Sequence, residues 1–199
     1  MKNYIINNTI NFISRYNTYD ETKLAELRYG LISIYLLITK LIIICIISTL
    51  LGILNEMIIF TLIYIPIRAV SFGMHASKSW ICLVFSTLMF VGLPMLSTII
   101  IIPDFIKVCL CILFIILMYK NSPADTHKKP IVNPKRKLFF KYSSVLITII
   151  YSFIILFSKD VFIINCLLFA LLVQNLLISP TVYKLFKMPY NNYKNYNMS

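Results

Sequence analysis

The sequence is poor in charged side chains, above all in acidic ones. Charged residues make up 13% of the chain, with 7 Asp and Glu against 19 Lys and Arg, whereas 59% of the residues are hydrophobic. Soluble domains are about one quarter charged and about half apolar. A chain of this length could not bury so much apolar surface in water, but a bilayer can accept it. The composition therefore excludes an ordinary soluble domain and predicts a membrane protein.

Glycine and cysteine are also scarce, and their positions exclude further classes of protein. The 4 glycines form no phosphate-binding loop. The 5 cysteines are odd in number and lie mostly within apolar runs, so they do not form a disulfide framework. Cys109 and Cys111 are two positions apart and point to different faces of a predicted helix, which makes them poor partners for a metal. We therefore expect neither a metal nor a cofactor.

Apolar runs predict an all-α fold with about six transmembrane helices, because about 20 apolar residues cross the hydrocarbon core. The second run is the least regular, since Asn55 and Glu56 lie directly before it and Pro66 lies within it. The runs comprise residues 31–54, 57–72, 80–102, 105–119, 145–157 and 161–178.

Residues 1–28 precede these runs and contain no apolar core of a cleavable signal peptide. Apolar side chains recur here near helical spacing among Asn, Arg and Lys, which predicts an amphipathic segment on the cytoplasmic membrane surface. A soluble lead-in helix is the alternative. No internal repeat or low-complexity tract divides the chain, so we expect residues 1–199 to form a single membrane-embedded domain.

The basic residues lie in alternate loops, which is the positive-inside pattern. They precede the first predicted span, lie between the second and third and between the fourth and fifth, and follow the sixth. The intervening loops at residues 55–56, 103–104 and 159–160 are short and poor in cations. This pattern predicts that both termini are cytoplasmic. It also argues against nucleic-acid binding as the reason for the net charge of +12.

The predicted cytoplasmic loop of residues 120–141 holds more cations than orientation alone requires. Attraction to anionic lipid headgroups is one explanation, and an acidic peptide partner is another. The cations are Lys120, Lys128, Lys129, Lys135, Arg136, Lys137 and Lys141.

Residues 68–82, between the second and third spans, contain the residue types of a catalytic site. The segment holds one of the 2 histidines, one of the 4 glycines and the single tryptophan. His75 could act as a base for a Cys82 nucleophile, because an adjacent imidazole raises the thiolate fraction and can later protonate a leaving amine. On one continuous helix the two side chains would be about 10.5 Å apart along the axis. This pairing therefore requires a break in the helix.

Gly73 and Ser79 offer that break. Gly73 loosens the backbone just before His75, and Ser79 is a good N-cap for the third span. Cys82 would then be the third residue of that helix, where the helix dipole favours a thiolate. The alternatives are structural, with the histidine as a polar anchor at the membrane interface and the cysteine as a packing residue.

Two motifs resemble the accessory gene regulator B (AgrB) family of membrane cysteine endopeptidases, which process peptide quorum-sensing signals. The first is Arg68 followed by Gly73-Met-His75-Ala76 and Cys82, and the second is Ser122-Pro-Ala-Asp-Thr126 followed by Lys129-Pro-Ile131. Chain length, six apolar segments and the basic central loop are also similar. Ala69 stands where the family often has a second arginine, which argues against a two-arginine substrate clamp.

The resemblance implies a specific reaction in the bacterial plasma membrane, with the active site facing the cytoplasm. The substrate would be a precursor signal peptide with an amphipathic leader, a central signal segment and an acidic C-terminal tail. Attack by the cysteine would release the tail and leave an acyl-enzyme thioester, and an internal nucleophile of the peptide would then close a thiolactone ring. The family also suggests a homodimer, and membrane lipids are further partners.

By the same resemblance, Cys82 is the nucleophile, and His75 is the base and then the acid. Arg68 binds a substrate carboxylate, holds the loop, or has a structural role at the headgroup level. Asp125 is the candidate group that orients His75, with the capping of a turn after Pro123 as the alternative. The acidic tail would be received by Lys128, Lys129, Lys135, Arg136 and Lys137.

Two other classes of function are compatible with the sequence. One is a small peptide transporter or export component, with Lys40, Gln174 and Asn175 as polar residues at mid-span depth. These residues could instead snorkel to the interface or join neighbouring helices. The other class is a non-catalytic membrane scaffold.

Overall fold

The computed structural model describes residues 2–15, 20–74, 79–126, 131–190 and 192, and within them every regular element is a helix. The predicted all-α fold is thus confirmed. The elements are α1 (Lys2–Ser14), α2 (Glu21–Leu50), α3 (Leu54–Ser71), α4 (Ser79–Thr87), a π-helical turn (Leu88–Gly92), α5 (Leu93–Ser97), α6 (Asp104–Asn121), α7 (Pro134–Phe157), α8 (Val161–Ile178) and α9 (Pro180–Leu185).

Five helical segments in the described part of the chain are long and apolar enough to cross a membrane, so the protein is a multi-pass helical membrane protein, as predicted. α6 corresponds to the remaining predicted span and has the 18-residue length of α3, but it carries charges at Asp104, Lys107 and Lys120. The five segments are Glu21–Leu50, Leu54–Ser71, Trp80–Ser97, Pro134–Phe157 and Val161–Ile178.

The first inter-span turn lies earlier in the chain than predicted. α2 begins where the Asp20 carboxylate accepts a hydrogen bond from the Glu21 amide. After α2, Gly52 adopts a φ of 70° in the turn before α3. Asn55 and Glu56 therefore lie in the first turn of α3 and not in a loop. That position is physically sensible, because the positive end of the helix dipole stabilises the Glu56 charge.

The predicted basic loop of residues 120–141 is shorter than expected. Lys120 lies in the last turn of α6, and the chain is helical again from Pro134 onward. The Asn133 side chain accepts hydrogen bonds from two first-turn amides and so caps α7, and a proline at the first position favours this start. The loop prediction was wrong at both ends because a hydropathy pattern does not reveal helical turns that extend beyond the hydrocarbon core.

The third predicted span ends at Ser97 rather than at residue 102. The π-helical turn ends at Gly92, two residues before Pro94, which lacks an N–H to continue regular α-helical bonding. After Ser97, the side-chain amide of Asn165 on α8 donates to the carbonyls of Ser97 (2.9 Å) and Ile100 (2.7 Å). These bonds satisfy carbonyls that the end of a helix leaves without partners.

Contacts divide the chain into two compact units, Met1–Leu51 and Gly52–Ser199. In the first unit α1 packs on α2, and the Arg28 guanidinium donates to the Asn7 side chain over 3.0 Å. Within the predicted segment of residues 1–28, the described residues include α1 and the first two turns of α2.

In the second unit α8 is the central helix. It contacts α3, α5, α6 and α7, and its buried residues lie on all of its faces, as expected for a helix that is apolar all round. The polar exceptions are three buried amides, Asn165, Gln174 and Asn175. The C-terminal half of this helix supports the candidate site.

Candidate functional site

The two motif segments, far apart in the sequence, are joined by backbone hydrogen bonds. The Gly73 amide donates to the Ala124 carbonyl over 2.9 Å, and the Ala124 amide donates to the Ser71 carbonyl over 3.1 Å. Phe72 and Ala124 thereby form an isolated parallel β-bridge. The segment after α3 and the segment after α6 are thus held side by side at the same end of the unit.

Gly73 occupies a position that no other residue type fits without strain. Its φ is 103°, in the region that disfavours side chains, and a Cβ there would lie 2.8 Å from Arg68 Nη1 and 2.8 Å from the Leu177 carbonyl oxygen. The preceding residue, Phe72, also has a positive φ of 56°. Because positive φ costs a residue with a side chain about 1–2 kcal/mol, the surrounding contacts must hold Phe72 in place.

Arg68 provides several of these contacts. Its guanidinium, half-buried at the end of α3, donates to the carbonyl of Phe72, to that of Met74 over 2.9 Å, and more weakly to that of Gly73 over 3.4 Å. The fork of N–H donors thus binds three successive carbonyls of one loop. The sequence left three roles open for Arg68. These hydrogen bonds correspond to the role in which its side chain holds the loop.

The C-terminal end of α8 binds the other side of the loop. The Met74 amide donates to the Leu177 carbonyl over 3.0 Å, and this carbonyl is one of the last four of the helix, which have no intrahelical donor. One turn earlier, the Gln174 side-chain amide donates to the Phe72 carbonyl over 2.9 Å. Sequence reasoning missed both contacts, although a fully buried amide in an apolar helix was the signal that could have indicated one of them.

The polar residues considered for a transport path differ in their partners and in the helices that carry them. Gln174 is bound to the loop, whereas the Asn175 amide donates to the Leu171 carbonyl of its own helix over 2.9 Å. Lys40 belongs to α2, in the other compact unit.

Asp125 is buried, with 4% of its surface exposed. Its carboxylate accepts hydrogen bonds from the backbone amide of Asn192 over 3.0 Å and from the Asn192 side chain over 3.4 Å. Its backbone carbonyl accepts from the Tyr183 hydroxyl over 3.0 Å. The chain after α8 therefore folds back onto the second motif, and sequence reasoning did not anticipate these two partners. His75, which Asp125 was predicted to orient, lies outside the described residues.

Tyr183 is almost fully buried beside this carbonyl, 1% exposed. Burial raises the pKa of its phenol, and this effect outweighs the opposite influence of the Arg68 charge. The hydroxyl therefore keeps its proton at ordinary pH and acts as a hydrogen-bond donor. The ring of Tyr190 packs edge-on against it, with centroids 5.0 Å apart.

Cys82 lies in the first part of α4 and is partly exposed as a free thiol. α4 begins at Ser79 itself, so Cys82 is the fourth helical residue and not the third, as a Ser79 N-cap had implied. The side chain of Ser79 lies outside the described part. Cys82 and Arg68 are each three residues from the loop ends of their helices.

Cations gather at the start of α7, close to the loop. Lys135 and Arg136 are exposed and Lys137 is half-buried, all within the first turn, where the helix dipole favours anions instead. One turn later, the ring of Phe140 packs edge-on against Phe72, with centroids 4.9 Å apart. The cationic turn therefore adjoins the first motif. Lys128 and Lys129, also predicted to receive the acidic tail, lie outside the described residues.

Among residues whose placement is described, no three His, Cys, Asp or Glu side chains are grouped so as to bind a metal ion.

Comparison with known proteins gives one consistent result. The family model for "Accessory gene regulator B" matches residues 6–178. An AgrB-like protein of Clostridium acetobutylicum is 30% identical over 171 residues, which cover 86% of this chain and 82% of the relative. AgrB-like proteins of Listeria welshimeri and Listeria monocytogenes are each 29% identical over 177 residues, which cover 89% of this chain and 87% of the relatives. No solved structure gives a significant match.

Proposed function

The chain belongs to the accessory gene regulator B family, and from this premise we propose that it is a membrane cysteine endopeptidase acting on a quorum-sensing propeptide. Family membership by itself makes it a component of a quorum-sensing accessory gene regulator system. The proposal adds the reaction. The enzyme cuts an acidic C-terminal tail from the propeptide and promotes thiolactone cyclisation of the remaining signal segment.

The reaction needs two transfers at one thiol. His75 takes the Cys82 proton, and the sulfur attacks the carbonyl carbon of the scissile peptide bond. The imidazolium then protonates the departing amine, so that the tail leaves and an acyl thioester remains. An internal thiol of the peptide next attacks the thioester, its proton passes to the Cys82 sulfur, and a ring thioester replaces the enzyme thioester. No ATP is required because one thioester is exchanged for another.

The observation that carries the proposal is the bond between Gly73 and Ala124. It supports the proposal because it brings together two motifs that the family combines, and the first of them continues along the chain to Cys82. The first turn of α4 also gives Cys82 backbone N–H groups that stabilise negative charge. A site at the membrane interface limits the water that would otherwise hydrolyse the thioester.

The start of α7 is the proposed binding site for the acidic tail. Lys135, Arg136 and Lys137 oppose the helix dipole there, so they contribute little to the stability of the helix. Their charges suit a carboxylate-rich peptide. The contact between Phe140 and Phe72 supports the placement of this surface beside the catalytic loop.

We propose the bacterial plasma membrane as the location, with the motif loops and both termini on the cytoplasmic side. Membrane lipids would hold the amphipathic leader of the propeptide near Cys82, and a homodimer remains part of the proposal.

The decisive experiment compares Cys82→Ser and His75→Ala with Cys45→Ser in proteoliposomes that contain the cognate propeptide. We expect the first two variants to lose cleavage by on the order of 1,000-fold or more, because each removes a group that takes part in bond making. Cys45→Ser should cleave normally, since Cys45 lies within α2. Mass spectrometry of the released tail gives the rate. Normal cleavage by Cys82→Ser or His75→Ala would contradict the proposal.

A further inference from the structure

Gln174 is fully buried in α8, and both the nitrogen and the oxygen of its side-chain amide form hydrogen bonds. Its Nε2 donates to the Phe72 carbonyl over 2.9 Å, and its Oε1 accepts a hydrogen bond from the Tyr64 hydroxyl over 3.1 Å. We propose that Gln174, supported by Tyr64, is a positioning residue that fixes the segment leading to His75. This inference rests on the proposed function, because it assigns a role in the same reaction.

A buried amide in an apolar helix is costly unless hydrogen bonds satisfy it. Here one partner comes from α3 and the other from the loop, so the pair of bonds connects three parts of the unit. Tyr64 itself is held on α3 by the ring of Phe90, which packs edge-on with centroids 5.7 Å apart. Phe90 belongs to the same helical run as Cys82. The hydrogen-bonded pair of Tyr64 and Gln174 therefore packs against the helical run that carries Cys82.

The loop needs such a restraint at Phe72. Its φ of 56° and the ψ of −123° are unfavourable for a residue with a side chain. Two side chains meet at its carbonyl, the Arg68 guanidinium and the Gln174 amide. Without Gln174 the carbonyl keeps only the donor from α3, and the connection to α8 at this residue is lost. The segment could then relax toward an ordinary backbone conformation.

We expect the loss of this restraint to lower kcat rather than to weaken substrate binding. His75 follows Phe72 by three residues, so a rotation of the Phe72 peptide changes the direction in which the loop leaves α3. A displacement of about 1 Å at a catalytic group can lower a rate by about 100-fold. The side-chain hydrogen bonds of Gln174 go to α3 and to the loop, and the cationic turn belongs to α7, so we expect binding of the acidic tail to be preserved.

The first test compares Gln174→Met with Asn175→Leu in the full chain. Methionine keeps the length of the side chain but removes both hydrogen bonds. Asn175 is the adjacent residue, 4% exposed, and its amide bonds only a carbonyl of its own helix, so it provides a matched control. We expect Gln174→Met to lower kcat by about 10- to 100-fold with KM within about twofold. Tyr64→Phe should change kcat in the same direction by a smaller factor.

A second measurement does not depend on cleavage. Met74 is 6% exposed, and a Met74→Cys variant reports on the loop through its rate of labelling by a water-soluble maleimide, read by peptide mass spectrometry. Adding Gln174→Met should raise this rate by about fivefold, whereas adding Asn175→Leu should leave it unchanged. If Cys82→Ser cleaves normally but the labelling result holds, the proposed function fails and Gln174 still holds the loop. An unchanged labelling rate, equal losses of kcat in the Gln174 and Asn175 variants, or a change in KM alone would overturn the inference.

Discussion

The amide of Gly73 donates a hydrogen bond to the carbonyl of Ala124, with 2.9 Å between nitrogen and oxygen. Together with the bond from the Ala124 amide to the Ser71 carbonyl, it connects the segment after α3 to the segment after α6. Because Arg68 and the end of α8 hold the same loop from two other sides, contacts with three helices fix the position of residues 72–74. The predictions below follow from that arrangement.

Gly73→Ala should abolish most activity. The added Cβ would lie 2.8 Å from both Arg68 Nη1 and the Leu177 oxygen, and positive φ alone costs alanine about 1–2 kcal/mol, so we expect at least about a tenfold loss of kcat. Gly92→Ala is the matched control, since a Cβ there would meet nothing within 4 Å. Propeptide cleavage rates measure both. Full activity of Gly73→Ala would show that the loop tolerates a different path.

Arg68→Lys should also be severely impaired, although the charge is retained. A lysine ammonium cannot span the carbonyls of Phe72 and Met74 as the guanidinium does. Loss of one hydrogen bond from a charged group, about 1.5–3 kcal/mol, corresponds to about a 10- to 100-fold lower kcat. Arg136→Lys is the control, because an exposed cation that attracts the tail needs only its charge. Equal activities of the two lysine variants would argue against the loop-holding role of Arg68.

Lys135→Gln with Arg136→Gln should weaken propeptide binding without destabilising the protein. We expect KM to rise by about two- to fivefold for each cation at low ionic strength and less at high salt, because exposed charges are screened. The melting temperature should stay the same or rise slightly, since both charges oppose the dipole of α7. Lys107→Gln serves as a control. Lys107 pairs with Asp104 in the first turn of α6, at the opposite end of that helix from the second motif. A KM that does not respond to salt would exclude the cationic turn as the tail site.

Tyr183→Phe should lower stability at neutral pH by about 1 kcal/mol, because the buried hydroxyl donates to the Asp125 carbonyl. The pH dependence has a definite sign. Burial raises the pKa of Tyr183 in the folded state, so the folded protein holds this proton more tightly than the unfolded chain does. The resulting stabilisation is complete below about pH 10 and is lost as the pH rises further.

Thermal unfolding in detergent at neutral and alkaline pH measures this effect. The stability of the unmodified protein should fall more steeply above about pH 10 than that of Tyr183→Phe. Tyr142→Phe, at an exposed position on α7, should behave like the unmodified protein. Parallel curves for Tyr183→Phe and the unmodified protein would show that the phenol does not contribute.

Much of the fold followed from local pattern. The sixth predicted span, residues 161–178, coincides with α8. This run carries no charge, and the Asp160 cap before it and Pro180 after it define where the helix begins and ends. Predictions failed where helices continue past the apolar core, as at Asn55 and at Pro134. There a side-chain cap or a favourable dipole contact, not hydropathy, decides the boundary.

The candidate site, like the fold, could be predicted from the sequence only in part. Gly73 and Arg68 could be singled out from sequence because residue type alone indicated a flexible position and a fixed charge beside a histidine and a cysteine. Gln174, Tyr183 and Asn192 could not be assigned to the site, since their partners lie more than fifty positions away along the chain: a backbone carbonyl for Gln174 and for Tyr183, and the Asp125 carboxylate for Asn192. Such pairings depend on how the helices pack, and no local spacing encodes them.

The sequence by itself determined that this chain is a helical, multi-pass membrane protein, because its apolar runs cannot be buried in water and must form helices in lipid. It also determined which residue types are available for chemistry near Cys82. Only the tertiary structure decided that Ala124 pairs with the backbone after α3, and that α8 supplies Gln174 and Leu177 to hold the loop. The physical reason is that backbone amides and carbonyls carry no residue identity, so their partners are fixed by packing alone.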